Sequence, residues 1–576
     1  MLSNSVAAAV LAAAYVLTLV LQLNPTLPLN PARLVPIATT VGLFYALHLI
    51  VIFYVVLVLW QLFARELFSP AWISVGVLTW LGAAASIAGA ALMWANLHTF
   101  ALVLEPDTVR RLGTGSAMLV MSSAFFVFVA VLRGHLGTER RPLWTAVFVV
   151  IVATSVAAPL AVRGRGTAPL LDAHPLEGAL AVGPVERSAR VIILAVDAGS
   201  LDFVTSITAE GRLPNFGHVL DAGAVMHLAS LHPTSADAVW AAVMTGKLPQ
   251  KNGVRSAGSY RFPRGGDSIQ LLPDYCFAHV LVRFGFLIEE SNTSGTLKAR
   301  TLWNIVGAAG VPIGVVGWPL TYPAPAVRGY LVSDLYHRLI ATPSGIDDPS
   351  AVYPPEIQTD AFQAVEAVGS SPPFARAGTE LEPRHQAPAR TDRIYERIAL
   401  DLAATHQTVL TSLRYQSLDA IGHYFLRYAD PAEFGDVTGE ERGRLGTVLE
   451  QHYTLIDDAI GRSIASLGPD DLLLVVSGYG MEPMGVLKRL LERAVGDADL
   501  SGTHEAAPDG FLMAYGGPVA RGRRAVRASV VDVVPTVLYF LGLPIGRDMD
   551  GYARTDLFQR LFTDARPITY IPSYER

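Results

Sequence analysis

The sequence predicts a two-part molecule, an all-α transmembrane bundle followed by an α/β domain built on a mainly parallel sheet with helices on both faces. Three observations predict it. Five long charge-poor stretches lie before residue 163. From Val191 onward, short β-branched runs alternate with longer helical patterns, the grammar of a sheet covered on both sides. A mean hydropathy of +0.38 with only 16% charged residues is too apolar for an ordinary soluble chain. At 576 residues the chain also exceeds what one hydrophobic core supports.

The expected spans run within Leu2 to Leu23, Leu34 to Ala64, Ala71 to Leu97, Leu112 to Leu132 and Leu143 to Val162. Each reaches the roughly 20 apolar residues that a hydrocarbon core requires. The first lacks the basic start of a secretory signal, and four more follow, so it reads as a true span. Arg65, Arg133, Arg140 and Arg141 narrowly outweigh Arg33, Arg110 and Arg111 on the other side. The positive-inside rule then places the N-terminus inside and the large domain outside the cytoplasmic membrane, in the periplasm or beyond the cell. His48 and His98 sit in or beside spans and read as packed or interfacial side chains. No Asp, Glu, Lys or Arg falls inside a span and no pair of short broken helices occurs, which argues against a transporter.

Charge and cysteine content exclude further classes. A net charge of -6 leaves no basic footprint for nucleic acid. The single cysteine, Cys276, rules out an intrachain disulfide and a thiolate metal cluster, and its Tyr-Cys-Phe setting reads as a small buried hydrophobe.

The domain plan is a five-span anchor over 1–163, a Gly/Ala/Pro/Arg-rich linker over 164–190, an α/β domain over 191–560 and a tail over 561–576. Strands are expected at Val191–Val196, Val311–Val316, Val409–Leu413, Leu472–Val476 and Phe511–Tyr515. Helices are expected at Leu213–Leu220, Thr301–Ala309, Thr391–Thr405 and Leu445–Leu467. Pro- and Gly-rich stretches near 255–298 and 336–388 read as cap insertions. Ligands in such folds gather beyond the C-terminal strand ends. There the sequence places Asp197, the pair Asp419 and His423 on one helical face, Ser477-Gly-Tyr-Gly480, and His504. Carboxylate and imidazole together are the donors of hydrolytic zinc sites.

The order of motifs carries more than any one of them. Val196-Asp-Ala-Gly199, Gly211-Arg-Leu-Pro-Asn215, Val239-Trp-Ala-Ala-Val-Met-Thr-Gly-Lys-Leu-Pro249, Gly317-Trp-Pro-Leu-Thr-Tyr-Pro323, Leu418-Asp-Ala-Ile-Gly-His423, Ser501-Gly-Thr-His504 and Val531-Asp-Val-Val-Pro-Thr536 follow one another along residues 190–560. This series resembles the type I phosphodiesterases and nucleotide pyrophosphatases of the alkaline phosphatase superfamily. The resemblance implies an alkaline-phosphatase-like fold and two zinc-like ions that clamp a phosphoester while a Ser or Thr attacks. It makes Asp419, His423 and His504 one complete metal half-site and Asp197 the first ligand of the other.

The second half-site departs from the family pattern. The nucleophile position is Ala236, with Thr234 and Ser235 just upstream; the family's Asp-His pair reads Gly478-Tyr479; and its phosphate-contacting Asn falls near Ala257. One Zn-like ion is therefore expected, the second site being degenerate. Tyr479 is expected to fill the lost metal position, with its phenol on Asp197. Two readings stand. In one, the chain is a non-catalytic or strongly altered member that serves as a membrane-anchored binding or scaffold subunit. In the other, it is an active metal-dependent phosphoester hydrolase or head-group transferase that works with one metal or with Ser235, Arg255 and Lys247 replacing lost positive charge. The five-span layout is shared with lipoteichoic acid synthases and phosphoethanolamine transferases, an analogy of location. Expected partners are the lipid bilayer, a protein bound through the membrane or outer domain, and a phosphoester ligand.

Overall fold

A computed structural model describes residues 1–64, 72–136, 141–164, 189–263, 268–341, 348–370, 372–374, 381–524 and 527–575. Arg65, Ala71, Arg140 and most of the expected linker, 165–188, lie outside the described residues, as do parts of the stretch 336–388. Two compact units emerge, one of Met1–Leu170 with Arg255–Ser291, the other of Leu171–Val254 with Asn292–Arg576.

The first unit is a helical bundle: α1 (Leu2–Leu23), α2 (Leu43–Ala64), α3 (Val75–Thr99), α4 (Pro106–Leu136) and α5 (Arg141–Ala161). A helical run over Pro31–Gly42 leads into α2. Five segments of this unit are long and apolar enough to cross a membrane. Small residues set the packing. A Cβ at Gly89 would meet Tyr15 and Leu119, and one at Gly82 would meet Phe126, so glycine lets these helices approach closely. Inside, Tyr15 Oη lies 2.9 Å from Ser86 Oγ and 2.8 Å from Ser155 Oγ. His48 and His98 face outward and lean on Phe44 and Trp94. The stretch expected as a cap near 255–298 packs within this unit from Arg255 to Ser291, because Leu272, Ala278, Leu281 and Leu287 share a core with Ile37, Val41 and Tyr45.

The second unit carries the sheet. Its principal strands are β1 (Val191–Val196), β2 (Ala224–Ala229), β3 (Ile313–Val316), β4 (Gly329–Val332), β5 (Leu410–Tyr415), β6 (Leu472–Tyr479) and β7 (Asp509–Gly516). They lie in the order β2-β7-β6-β1-β5-β3-β4. The centre, β6-β1-β5-β3-β4, is parallel, while β7 runs antiparallel to both neighbours. All eight residues of β6 are buried, the mark of a strand covered on both faces. Along β1, Ile193 and Ala195 join one core cluster and Leu194 and Val196 the other, the two-residue alternation of a strand. Helices α6 (Pro214–Ala222), α7 (Ala236–Thr245), α8 (Leu302–Ala308), α9 (Glu382–Thr405), α10 (Ser417–Ala429) and α11 (Val448–Ser466) cover it. The expected strands and helices are all present; β2 and β4 are additions, each with a single β-branched residue, Val225 and Val332. The expected tail is built in: Tyr570–Ile571 pairs with Ile545–Gly546.

Candidate metal centre

The site grows from three strand ends. β5 ends at Tyr415 and α10 begins two residues later, its first backbone amides held by the buried Asp392, which accepts from Gln416 N at 2.9 Å and Ser417 N at 3.1 Å. Burial raises the Asp392 carboxyl to about 7, against the pull of those amides. On α10, Asp419 and His423 fall one turn apart on one face. The strand pair Glu482–Pro483 and Gly502–Thr503 then lays His504 beside them. Glycine makes this approach possible, since a Cβ on Gly502 would sit 2.3 Å from the Gly422 carbonyl oxygen.

Asp419, His423 and His504 present ligand atoms all within 4.8 Å of one another. His423 Nε2 and His504 Nε2 each lie 3.8 Å from an Asp419 oxygen. The rings are oriented from behind: His423 Nδ1 is 2.9 Å from the Gly502 carbonyl and His504 Nδ1 is 3.2 Å from the Thr234 carbonyl. A carbonyl only accepts, so each Nδ1 carries a proton, which leaves Nε2, the atom facing Asp419, as the one a metal would take. Two imidazoles and a carboxylate, each about a quarter exposed, are a donor set that fits a zinc-like ion with an open position.

Around Asp197 and Gly478 three side chains matter: Arg414, Val239 and Tyr479. Arg414, next to the end of β5, donates from Nε to Asp197 Oδ1 at 2.9 Å and from Nη2 to Asp197 Oδ2. Asp197 is 2% exposed and the Arg414 side chain 11%. Burial pushes the Asp197 carboxyl up and Arg414 pulls it back, while the carboxylate keeps Arg414 protonated despite its own burial. At the family's Asp position, a Cβ on Gly478 would meet Val239 Cγ1 at 2.5 Å, so α7 already fills the space a carboxylate would need. Tyr479, fully buried, lies with its ring 5.2 Å from the His504 ring, tilted at 55°, and sends its phenol to Asp419 Oδ1 at 3.4 Å. The expected Tyr479 bond to Asp197 is thus corrected. The Asp197 carboxylate is taken by Arg414, and the phenol supports the intact half-site instead.

The remaining candidates divide. Ser235 Oγ is buried without a hydrogen bond at the start of α7, and the adjoining Thr234 carbonyl is the one that orients His504. Thr234 itself turns its hydroxyl to the Leu231 carbonyl. Lys247 is not available as a phosphate ligand, because its ammonium lies 2.6 Å from Asp548 and 2.8 Å from Glu575. Nor is Arg255, which belongs to the first unit and pairs there with Glu105. Arg414 is the residue that sequence reasoning missed. An arginine inside an otherwise apolar strand requires a buried carboxylate, and Asp197 ends the strand paired beside it, with Ala195 facing Arg414 in register.

Residues 191–533 match the family model of type I phosphodiesterase / nucleotide pyrophosphatase. No curated protein sequence matches the chain. Among solved structures, the chain is similar to murine ectonucleotide pyrophosphatase / phosphodiesterase 5, at 12% identity over 64% of this chain and 100% of that one, with a TM-score of 0.38. An inactive variant of the same murine protein in complex with AMP gives 12% over 64% and 100%, with a TM-score of 0.37. A four-substitution variant of the alkaline phosphatase PafA gives 11% over 66% and 100%, with a TM-score of 0.43.

Proposed function

The chain belongs to the type I phosphodiesterase / nucleotide pyrophosphatase family, and from that premise we propose that it is a membrane-anchored member whose two-metal chemistry is lost and which serves as a one-metal binding or scaffold subunit. The observation that carries this reading is the bidentate Arg414–Asp197 pair. A permanent cation already sits on the single carboxylate left to the second half-site, and a second cation there would meet repulsion instead of ligands. The five apolar helices support a place in the cytoplasmic membrane, with the large domain outside.

In this reading Asp419, His423 and His504 hold one divalent ion, which when bound supplies positive charge for an anionic oxygen of a phosphoester ligand. The surrounding side chains fix the donors: the Gly502 and Thr234 carbonyls set the ring tautomers, and Tyr479 steadies Asp419.

One observation favours the second reading, a one-metal hydrolase or head-group transferase. Ser235 Oγ has no hydrogen-bond partner, and its neighbour's carbonyl orients His504. Both readings are tested on the purified full-length chain by elemental analysis and by hydrolysis of a chromogenic phosphodiester. The binding reading expects one tightly held ion per chain and no turnover above the Ser235→Ala variant. Two ions per chain, or turnover that Ser235→Ala abolishes, would overturn it.

A further inference from the structure

Between Asp274 and Ile288 the first unit presents an aromatic face that nothing in the phosphodiesterase chemistry requires. Tyr275 is 67% exposed, Phe277 72% and Phe284 69%, with Phe286 and Ile288 also outward. The opposite side of the same segment, Ala278, Leu281 and Leu287, is buried against the helices. Large rings are therefore sorted outward while small and aliphatic side chains face the core, the reverse of a segment meant to meet water on its outer side.

The backbone enforces this arrangement. Tyr275 and Phe277 both adopt positive φ, +62° and +57°, a region that bulky residues avoid unless their surroundings hold them there. Cys276 between them is tied inward, its carbonyl accepting from Tyr45 Oη at 3.1 Å. Asp274 is fixed on both sides by Asn96, which accepts from the Asp274 amide at 2.8 Å and donates to the Asp274 carbonyl at 3.2 Å. The two rings are thus turned outward from a pinned base.

The pins also give the depth. Phe44, whose ring lies 5.4 Å from that of Phe286, and Tyr45 lie in the first turn of the 22-residue α2. The apolar run to which α2 belongs, Leu34–Leu62, is 29 residues long, so Phe44 and Tyr45 lie within it. Asn96 lies in the last turn of the 25-residue α3. This contact falls where a span leaves the hydrocarbon and enters the headgroup layer, the level at which aromatic side chains gather. Charges near the face are mixed: Arg283 and His279 stand against Asp274, Glu289 and Glu290, and Glu290 is paired with Arg261. Among the described residues of this stretch no basic cluster is present to demand an anionic surface.

We propose that the segment Asp274–Ile288 is a lipid-interface element, its aromatic face seated in the outer leaflet beside the spans and occupied by phospholipid. This rests on the reading of the five helices as membrane spans. The occupant is lipid because the segment touches α2 through Phe286 and Phe44 and α3 through Tyr275 and Thr99, and the span reading gives the exposed residues of those helices, such as Leu47 and Trp94, to the bilayer.

The single native cysteine makes the test direct. In full-length protein carrying Cys276→Ser, a polarity-sensitive fluorophore is placed in turn at Phe284→Cys, Phe277→Cys, Val150→Cys on the outward face of α5 and Tyr552→Cys on the second unit. The chain is reconstituted into phosphatidylcholine vesicles with nitroxide lipids labelled at shallow or deep positions. Probes at 284 and 277 are expected to lose most of their emission to the shallow nitroxide, the probe at 150 to lose it to the deep one, and the probe at 552 to lose none. Unquenched probes at 284 and 277 beside a quenched probe at 150 would overturn the proposal alone and leave the face to a protein partner in water. An unquenched probe at 150 would overturn the span reading and the proposal together.

Discussion

Asp419, His423 and His504 bring three donors together with their lone pairs turned inward, whereas at Asp197 one donor survives and both its oxygens are taken by Arg414. The two regions stand on the ends of neighbouring strands in one sheet, so the difference is not one of scaffold. It lies in what compensates a buried carboxylate. On one side the compensation is left open for an ion; on the other a guanidinium supplies it, and Val239 takes the space a side chain at Gly478 would need. Charge at Asp197 and space at Gly478 thus act together in this region.

The contrast breaks most visibly at Arg414. Arg414→Ala leaves Asp197 buried and unpaired, which costs ~3–5 kcal/mol of unfolding free energy in denaturant titration of the full chain. Asp197→Asn in the same chain is expected to recover most of that loss. Elemental analysis of Arg414→Ala is expected to give no second ion, since Gly478 and Tyr479 provide no ligands. A second ion in that variant would mean that the guanidinium alone closes the site.

Next in size is a pH effect beneath the intact half. Asp392, which anchors the start of α10, has its folded pKa raised to about 7, above an unfolded carboxylate near 4. The folded state then binds a proton that the unfolded state has released, so its stability falls as pH rises from about 4 to about 7 and is flat above. The slope amounts to ~3–4 kcal/mol at about 1.4 kcal/mol per pH unit. Asp392→Asn is expected to flatten it, read as unfolding free energies at pH 5 and pH 8.

The intact half is tested directly by His504→Ala. Competition with a chelator is expected to show metal affinity reduced by at least ~100-fold, beyond the 10–100-fold typical of losing a supporting partner. The smallest effect tests the filled volume. Gly478→Ala drives a Cβ against Val239 and costs ~1–3 kcal/mol as an overpacked core, and Val239→Ala in the same chain relieves most of it. Thermal unfolding measures both.

Much of this was legible in the residues. The long apolar helices follow from their length and lack of charge, the sheet from β-branched runs at regular intervals, and Asp419 with His423 from their four-residue spacing. Ala236, Gly478 and Tyr479 mark where the sequence departs from the family pattern it resembles. Arg414 was not read, because its partner is 217 residues away in sequence and only the pairing of β1 with β5 makes them neighbours. Lys247 and Arg255 were misassigned for a related reason. A cation near a motif in sequence is as free to meet Asp548, Glu575 or Glu105 as a phosphate, and the fold decides which.

The sequence by itself determined the composition of each layer, the family and the donors that a metal requires, since these depend on residue type and local spacing. Tertiary structure alone decided which carboxylate keeps its lone pairs, which cations are already paired, and that the stretch 255–291 packs with the helices. Each of these depends on distances between groups far apart in the chain, and electrostatics and packing in a buried site act through distance, not through sequence order.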